Sequence, residues 1–364
     1  MADVIVSNVP RSFPWGVLHE RHPALIARVR DATPYGPGRR DALDALLGEI
    51  DEAIGPLPPG AADRGVWEAW GSEKYVGRPW DEVPFLWAES YFYRKLLDAV
   101  GYFGPGPWRG IDPFAPFKAA ELDGLAPPVA GLAEQALLHA SLWGNRADLG
   151  FRISAGDAGL GERVTGLVAD DSAGLWAVLD RGAPGRLCVV ADNAGPELLP
   201  DLLLADQLLA AHRVSEVLLH VKPYPYYVSD ATPADVIACL RRAGEAGKRL
   251  WQAMADGRLI VRAHPFSCAP LPYQDMPDDL RADFASATLT IMKGDLNYRR
   301  LVGDRHWPAT TPYATVTGYF PGPVAALRTL KSEVVVGLEE ATVAALDAGG
   351  QSWRTGGTHA LIQV

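Results

Sequence analysis

The chain has 364 residues, enough to bury a large core in one big domain or two medium ones. Its 48% hydrophobic and 21% charged residues exclude a disordered chain. A net charge of −10 excludes a general nucleic-acid binder, because phosphate backbones select basic surfaces, and leaves room for a local basic pocket around a small anion.

Helix-type apolar spacing comes first along the chain, at residues 24–30, 40–54, 67–71, 84–100 and 129–142. Pro- and Gly-rich breaks at 55–60 and 104–107 separate these segments. From about residue 165 the pattern changes. Short apolar runs predict strands at 187–191, 216–221, 259–263, 289–292 and 334–336. Helices are expected over 198–211, over 233–240 continuing to 254, and over 324–330. That alternation reads as a layered α/β sheet. There is no internal repeat and no low-complexity tract.

Cys188, Cys239 and Cys268 are far apart and form no CxxC pair, which fits a reducing compartment without a disulfide framework. The chain starts without a basic and apolar leader, and no run of about 18 apolar residues occurs, so a cytoplasmic protein with no membrane contact is expected. Walker A, HExxH and GxSxG motifs are absent. The glycine-rich stretch from Gly156 to Gly161 follows no convincing strand and reads as a loop, so no dinucleotide or adenosine fingerprint is supported.

Three loops after expected strands hold polar residues in apolar surroundings: Asp192-Asn193-Ala194-Gly195, Lys222 to Asp230, and Lys293 to Arg300. If the strands run parallel, all three emerge at one sheet edge and can converge. An Asp and an Asn from the first loop and an Asp from another offer oxygen donors suited to Mg²⁺, Mn²⁺ or a similar ion. Duller explanations exist for each piece. Asp192-Asn193-Ala194-Gly195 could be an Asx turn, Glu197 and Asp201 could serve the dipole of a helix first turn, and Asp230 could belong to the cap region of the helix at Pro233. Arg328 and Lys331 could together grip a phosphate or be two solvated cations. A helix over 324–330 creates a conflict, because it leaves Lys331 at the wrong end of a strand at 334–336 to reach the crevice. In the N-terminal half, Ala88 to Arg94 and Leu142 to Asp148 mix aromatic and polar groups, as a cap over the crevice would, with Asn145 and Asp148 the residues to test.

At these residues the chain resembles the damage-control phosphatases, formerly the domain of unknown function 89, and most of all their subfamily III, whose members include proteins named protein-glutamate O-methyltransferase. The resemblance rests on Asp192-Asn193-Ala194-Gly195-Pro196-Glu197, His220 to Pro225 with Val228-Ser229-Asp230, and Lys293 to Arg299 with Gly303 to Trp307. It also rests on Arg328-Thr329-Leu330-Lys331, which matches the RTxK signature of that subfamily, and on Ser12-Phe13, Glu20-Arg21, Glu89 to Arg94 and Leu142 to Arg146. Pro196 departs from the pattern, where a larger apolar or aromatic residue is expected. The resemblance implies a helical N-terminal cap domain, residues 1–165, on a three-layer α/β/α domain with a mostly parallel sheet, residues 166–364. It implies a divalent ion (Mn²⁺, Co²⁺, Ni²⁺ or Mg²⁺) on Asp192, Asn193 and Asp230, with phosphate or sugar contacting Asp295, Asn297, Tyr298, Arg299 and Lys331. The implied substrates are small phosphate monoesters, notably fructose 1-phosphate and fructose 6-phosphate. The leading expectation is therefore metal-dependent phosphate-ester hydrolysis, with Asp192 as base or orienter of the attacking water and Glu197 second. An S-adenosylmethionine-dependent carboxylate methyltransferase and a non-catalytic sugar-phosphate-binding module are the alternatives.

Overall fold

A computed structural model describes residues 2–125, 132–144 and 166–364. Asn145, Asp148, the Gly156–Gly161 loop and the start of the helix expected from 129 lie outside the described residues. Among those described, one sheet contains β1 (Leu167–Asp170), β2 (Arg186–Val190), β3 (Glu216–Val221), β4 (Leu259–Ala263), β5 (Leu289–Lys293), β6 (Val324–Thr329) and β7 (Ala360–Gln363). Their order is β1-β7-β6-β5-β2-β3-β4. The five strands from β6 to β4 run parallel, and β7 runs antiparallel to β6 while pairing parallel with β1. The layered α/β sheet expected from the alternating apolar runs is found, and it is mostly parallel, as the resemblance implies.

The N-terminal helices are α1 (His22–Ala32), α2 (Pro37–Glu49), α3 (Arg64–Ala69), α4 (Phe85–Val100), α5 (Ala115–Asp123) and α6 (Glu134–Trp143). The remaining longer helices are α7 (Ser172–Leu179), α8 (Leu198–Ala210), α9 (Pro233–Arg242), α10 (Gly244–Ala255), α11 (Asp278–Ala285), α12 (Gly294–Val302) and α13 (Glu340–Ala348). Helix α4 is buried along nearly its whole length and carries the aromatic core of the N-terminal half. It stops where Gly101 takes a left-handed φ of 84°, and the Gly101 and Tyr102 amides return to the Asp98 and Leu97 carbonyls. Helix α6 packs on α8 and β6, so this part of the N-terminal half belongs to the core beneath the sheet.

Alternate residues of each central strand enter opposite cores, as a doubly covered sheet requires. Leu187, Val189, Ile291, Ala325 and Leu327 join α6, α8, α9 and α10 on one face. Cys188, Val190, Met292, Val324 and Ala326 join α11 and α12 on the other.

This packing overturns several local expectations. Residues 324–329 form strand β6, not a helix, because the apolar run Val324 to Leu327, inserted between β5 and β7, buries both of its faces. The helix propensity of Ala-Ala-Leu is a weak preference beside that burial. Val334, Val335 and Val336 are buried but pair in no strand. The helix expected to continue to 254 breaks at Gly244, whose φ is +59°. Residues Asp295 to Arg299 lie within α12, not in a loop. Strands β1 and β7 have no signal in the sequence, because four-residue pieces carry too little pattern.

Two buried histidines set an acid limit. His22 stacks on Phe92, with centroids 3.6 Å apart and rings 3° from parallel, and among the described residues its two nitrogens meet no hydrogen-bond partner. His220, on β3, is equally unpartnered. Burial lowers His22 to about 3 and His220 to about 4. Both folded values lie below that of an unfolded histidine, so their contribution is complete above about 6.5 and is lost on acidification, while the unfolded chain takes up protons the core refuses. Each should remove about 1.4 kcal/mol per pH unit across that window. The expected result is a Tm that falls steadily from pH 6.5 to 4 and falls less in His22→Leu, measured by thermal melts.

Candidate active site

From β2 the chain runs outward through β3 to β4, then returns to β5 on the other side of β2. Such a reversal leaves a crevice at the C-terminal ends of β2 and β5, where neighbouring connections lie on opposite sheet faces. The turns after β2 and β3 are stitched together there. The Ala194 amide donates to the Ser229 carbonyl at 2.7 Å, the Ala231 amide donates to the Asp192 carbonyl at 2.8 Å, and Asn193 pairs with Asp230 in an isolated antiparallel bridge. Asp192, Asn193 and Asp230 are thereby brought together.

The carboxamide of Asn193 donates to Asp192 Oδ2 at 3.1 Å and to Glu197 Oε1 at 3.0 Å, so it is more than a turn-forming side chain. Asp230 does not cap α9. Thr232 does, with Asp235 accepting its main-chain N–H, which leaves the Asp230 carboxylate beside the Tyr227 amide at 3.2 Å and Lys222 Nζ at 3.9 Å. Lys331 Nζ lies 3.8 Å from Glu197. Gly294, at φ +76°, lets the chain after β5 pass against Asp192: a Cβ there would stand 1.9 Å from Asp192 Oδ2.

Asp192, Glu197 and Asp230 are all buried. Burial first, then Glu197 and Asp230, push the Asp192 carboxyl well above the usual range. Burial raises Asp230 as well, with Lys222 opposing it. Asp192 and Asp230 are thus two buried carboxylates drawn to one point, an arrangement that is costly unless a cation pairs them. No three His, Cys, Asp or Glu side chains among the described residues are grouped to hold a metal ion. Two carboxylates and a carboxamide oxygen are donor types that a hard divalent ion accepts, so the residues present fit one.

Leu142, Asp192, Glu197, Lys293, Gly294, Asp295, Leu327, Thr329 and Lys331 line the narrow crevice. A larger cavity of about 540 Å³ lies across the Ala194-Gly195 turn, between α5 and α9, but the walls of that cavity hold neither Asp192 nor Lys331. The chemistry therefore points to the narrower site. Because β6 is a strand parallel to β5, Thr329 to Lys331 emerge at the same edge as Asp295, which removes the conflict over Lys331.

Other residues expected to contact substrate are placed elsewhere. Strand parity turns Arg328 to the α12 face, 4.3 Å above the Tyr298 ring, where it bonds Asp295 and Ser332 Oγ and donates to the Val334 carbonyl. Burial alone would raise Asp295, but Arg328 and Arg299 hold its carboxyl below the usual range. Asn297 Nδ2 donates to the Ala191 and Lys293 carbonyls, and the Tyr298 hydroxyl bonds Gln363 and the Val336 amide. Arg299 is forked onto Asp304 and reaches Glu89 at 2.9 Å. None of these four lines the crevice; Asp295 and Lys331 do. Lys293 lines it too, but its ammonium is tied to Asp201 at 2.9 Å and Ser141 Oγ at 2.8 Å. The pairing of Glu89 with Arg299, across the two halves of the chain, had no signal in the sequence.

The model of the Damage-control phosphatase ARMT1-like domain matches residues 17–346, nearly the whole chain and both sides of this crevice. The chain belongs to the damage-control phosphatase family. Among its relatives within this family, it is 31% identical over 380 aligned positions to damage-control phosphatase ARMT1 of Mus musculus, covering 88% of this chain and 85% of that protein. It is 30% identical over 431 positions to the Danio rerio protein of the same name, covering 97% and 94%. The crystal structure of a DUF89 family protein from Pyrococcus horikoshii shares the fold, with a TM-score of 0.53 at 16% identity over 95% of this chain and 96% of that one. Among the described residues of this damage-control phosphatase family member, no helix is long and apolar enough to cross a membrane.

Proposed function

We propose that this chain is a divalent-metal-dependent phosphatase acting on small phosphate monoesters, sugar phosphates such as fructose 1-phosphate or fructose 6-phosphate, in a reducing cytoplasm. Membership of the damage-control phosphatase family supports the phosphatase role. The observation that supports the metal reading is the convergence of two buried carboxylates and a carboxamide, Asp192, Asp230 and Asn193, at the switch point. Its three cysteines, all buried and unbridged, fit a reducing compartment.

Asp192, Asn193 and Asp230 would hold the ion, whether Mn²⁺, Co²⁺, Ni²⁺ or Mg²⁺. When bound, it would supply Lewis acidity toward a phosphoryl oxygen and acidify a coordinated water. Asp192 would orient the attacking water or take its proton. Glu197, bonded to Asn193, is the second candidate. Lys331 is the half-exposed cation at the mouth and would meet the transferring phosphoryl group, whose charge spreads over its equatorial oxygens. Arg299 and Arg328 have their charge already matched by Glu89, Asp304 and Asp295, so they hold the floor of the site.

The test is phosphate release from fructose 1-phosphate and fructose 6-phosphate. Turnover should appear with Mn²⁺ and vanish with a chelator; turnover that survives chelation, or none with any divalent ion, overturns the metal-dependent reading. Saturable calorimetric binding of S-adenosylmethionine would instead favour methyl transfer.

A further inference from the structure

Lys118 lies on α5, outside the crevice and more than a hundred residues before Asp230. It is buried, and a buried ammonium needs a partner for each of its three donors. Those partners are Asp112 Oδ2 at 3.0 Å, Asp235 Oδ2 at 3.0 Å and the main-chain carbonyl of Asp230 at 2.8 Å. The two carboxylates have other donors. Asp112 accepts the Phe114 amide at 2.7 Å, and Asp235 accepts the Thr232 amide and hydroxyl at 2.9 and 2.7 Å. The carbonyl is the informative contact.

The peptide joining Asp230 to Ala231 is held at both edges. Its carbonyl meets Lys118, and its N–H meets the Asp192 carbonyl at 2.8 Å. A peptide is planar, and the preceding one is held by its Ser229 carbonyl, which accepts the Ala194 amide at 2.7 Å; with both flanking planes held, the direction in which the Asp230 side chain leaves the backbone is set. The cavity of about 540 Å³ that Lys118 borders gives this turn room to shift once the clamp is cut.

We infer that Lys118 is a positioning residue for Asp230, by which the N-terminal half of the chain sets the geometry of a metal-binding carboxylate it does not itself supply. This rests on the metal reading above. It is a claim about the Asp230 main chain, separate from any contribution of Lys118 to folding.

The experiment is calorimetric titration of Mn²⁺ into the full-length chain. Lys118→Met should raise the Mn²⁺ Kd about tenfold, the scale on which residues supporting metal ligands act, whereas Asp112→Asn, which keeps the contact to Asp230, should leave it within about twofold. If Lys118→Met does not fold, the double variant Lys118→Met/Asp112→Asn removes one of the two carboxylates left without their ammonium and carries the same readout. A folded Lys118 variant with wild-type affinity overturns the inference. Wild-type protein that fails to bind Mn²⁺ is a different result: it overturns the metal reading and the positioning role with it.

Discussion

Asp192→Asn is expected to lower phosphate release by about a hundredfold or more, the scale of losing one preorganised polar group at a reacting centre. It should also abolish any rise in Tm on adding Mn²⁺. The metal-free variant should nonetheless melt no lower than wild type. The sign follows from the site. Burial, Glu197 and Asp230 raise the folded-state Asp192 carboxyl above its unfolded value, so at neutral pH its charge opposes folding, and removing that charge relieves the opposition. Stability lost together with activity would show instead that Asp192 holds the fold. Paired activity assays and melts, with and without Mn²⁺, separate the two outcomes.

Gly294→Ala is expected to be nearly as damaging without touching an ionisable group. The φ of +76° costs an alanine about 1–2 kcal/mol, and its Cβ would stand 1.9, 2.2 and 2.6 Å from Asp192 Oδ2, Cγ and Cβ. Either the chain after β5 retreats or the Asp192 carboxylate swings out, so turnover should fall about a hundredfold and Tm by several degrees. The discriminating measurement is the double variant with Asp192→Gly. There the Tm cost of Gly294→Ala should shrink to backbone strain alone, because the clashing atoms are gone. Equal costs in both backgrounds would show that the damage arises elsewhere.

Much of this site was legible in the amino-acid order. Asp192, Asn193, Asp230, Asp295 and Lys331 all follow strands or sit near strand ends, and strands buried on both faces announce themselves as short apolar runs. The strands at 216–221 and 259–263 have the bounds that their short apolar runs predict. The family, too, was readable from motifs in order, and the match over residues 17–346 bears it out.

What the sequence could not show is direction and partnership. Nothing local told whether 324–330 is a helix or a strand, because Val-Ala-Ala-Leu suits both until β5 and β7 close on either side. Nothing local told which of Arg328 and Lys331 faces the crevice, because strand parity has meaning only once the strand exists. The apolar pattern therefore determined by itself that a layered α/β sheet would form and which loops would carry its polar groups, since burial of such runs is a property of the runs. Tertiary structure alone decided that Arg299 and Arg328 are neutralised beneath the site and that Lys118 reaches the Asp230 carbonyl. A charged side chain acquires its role from whichever distant group shares its low-dielectric surroundings, and chain order does not encode that neighbour.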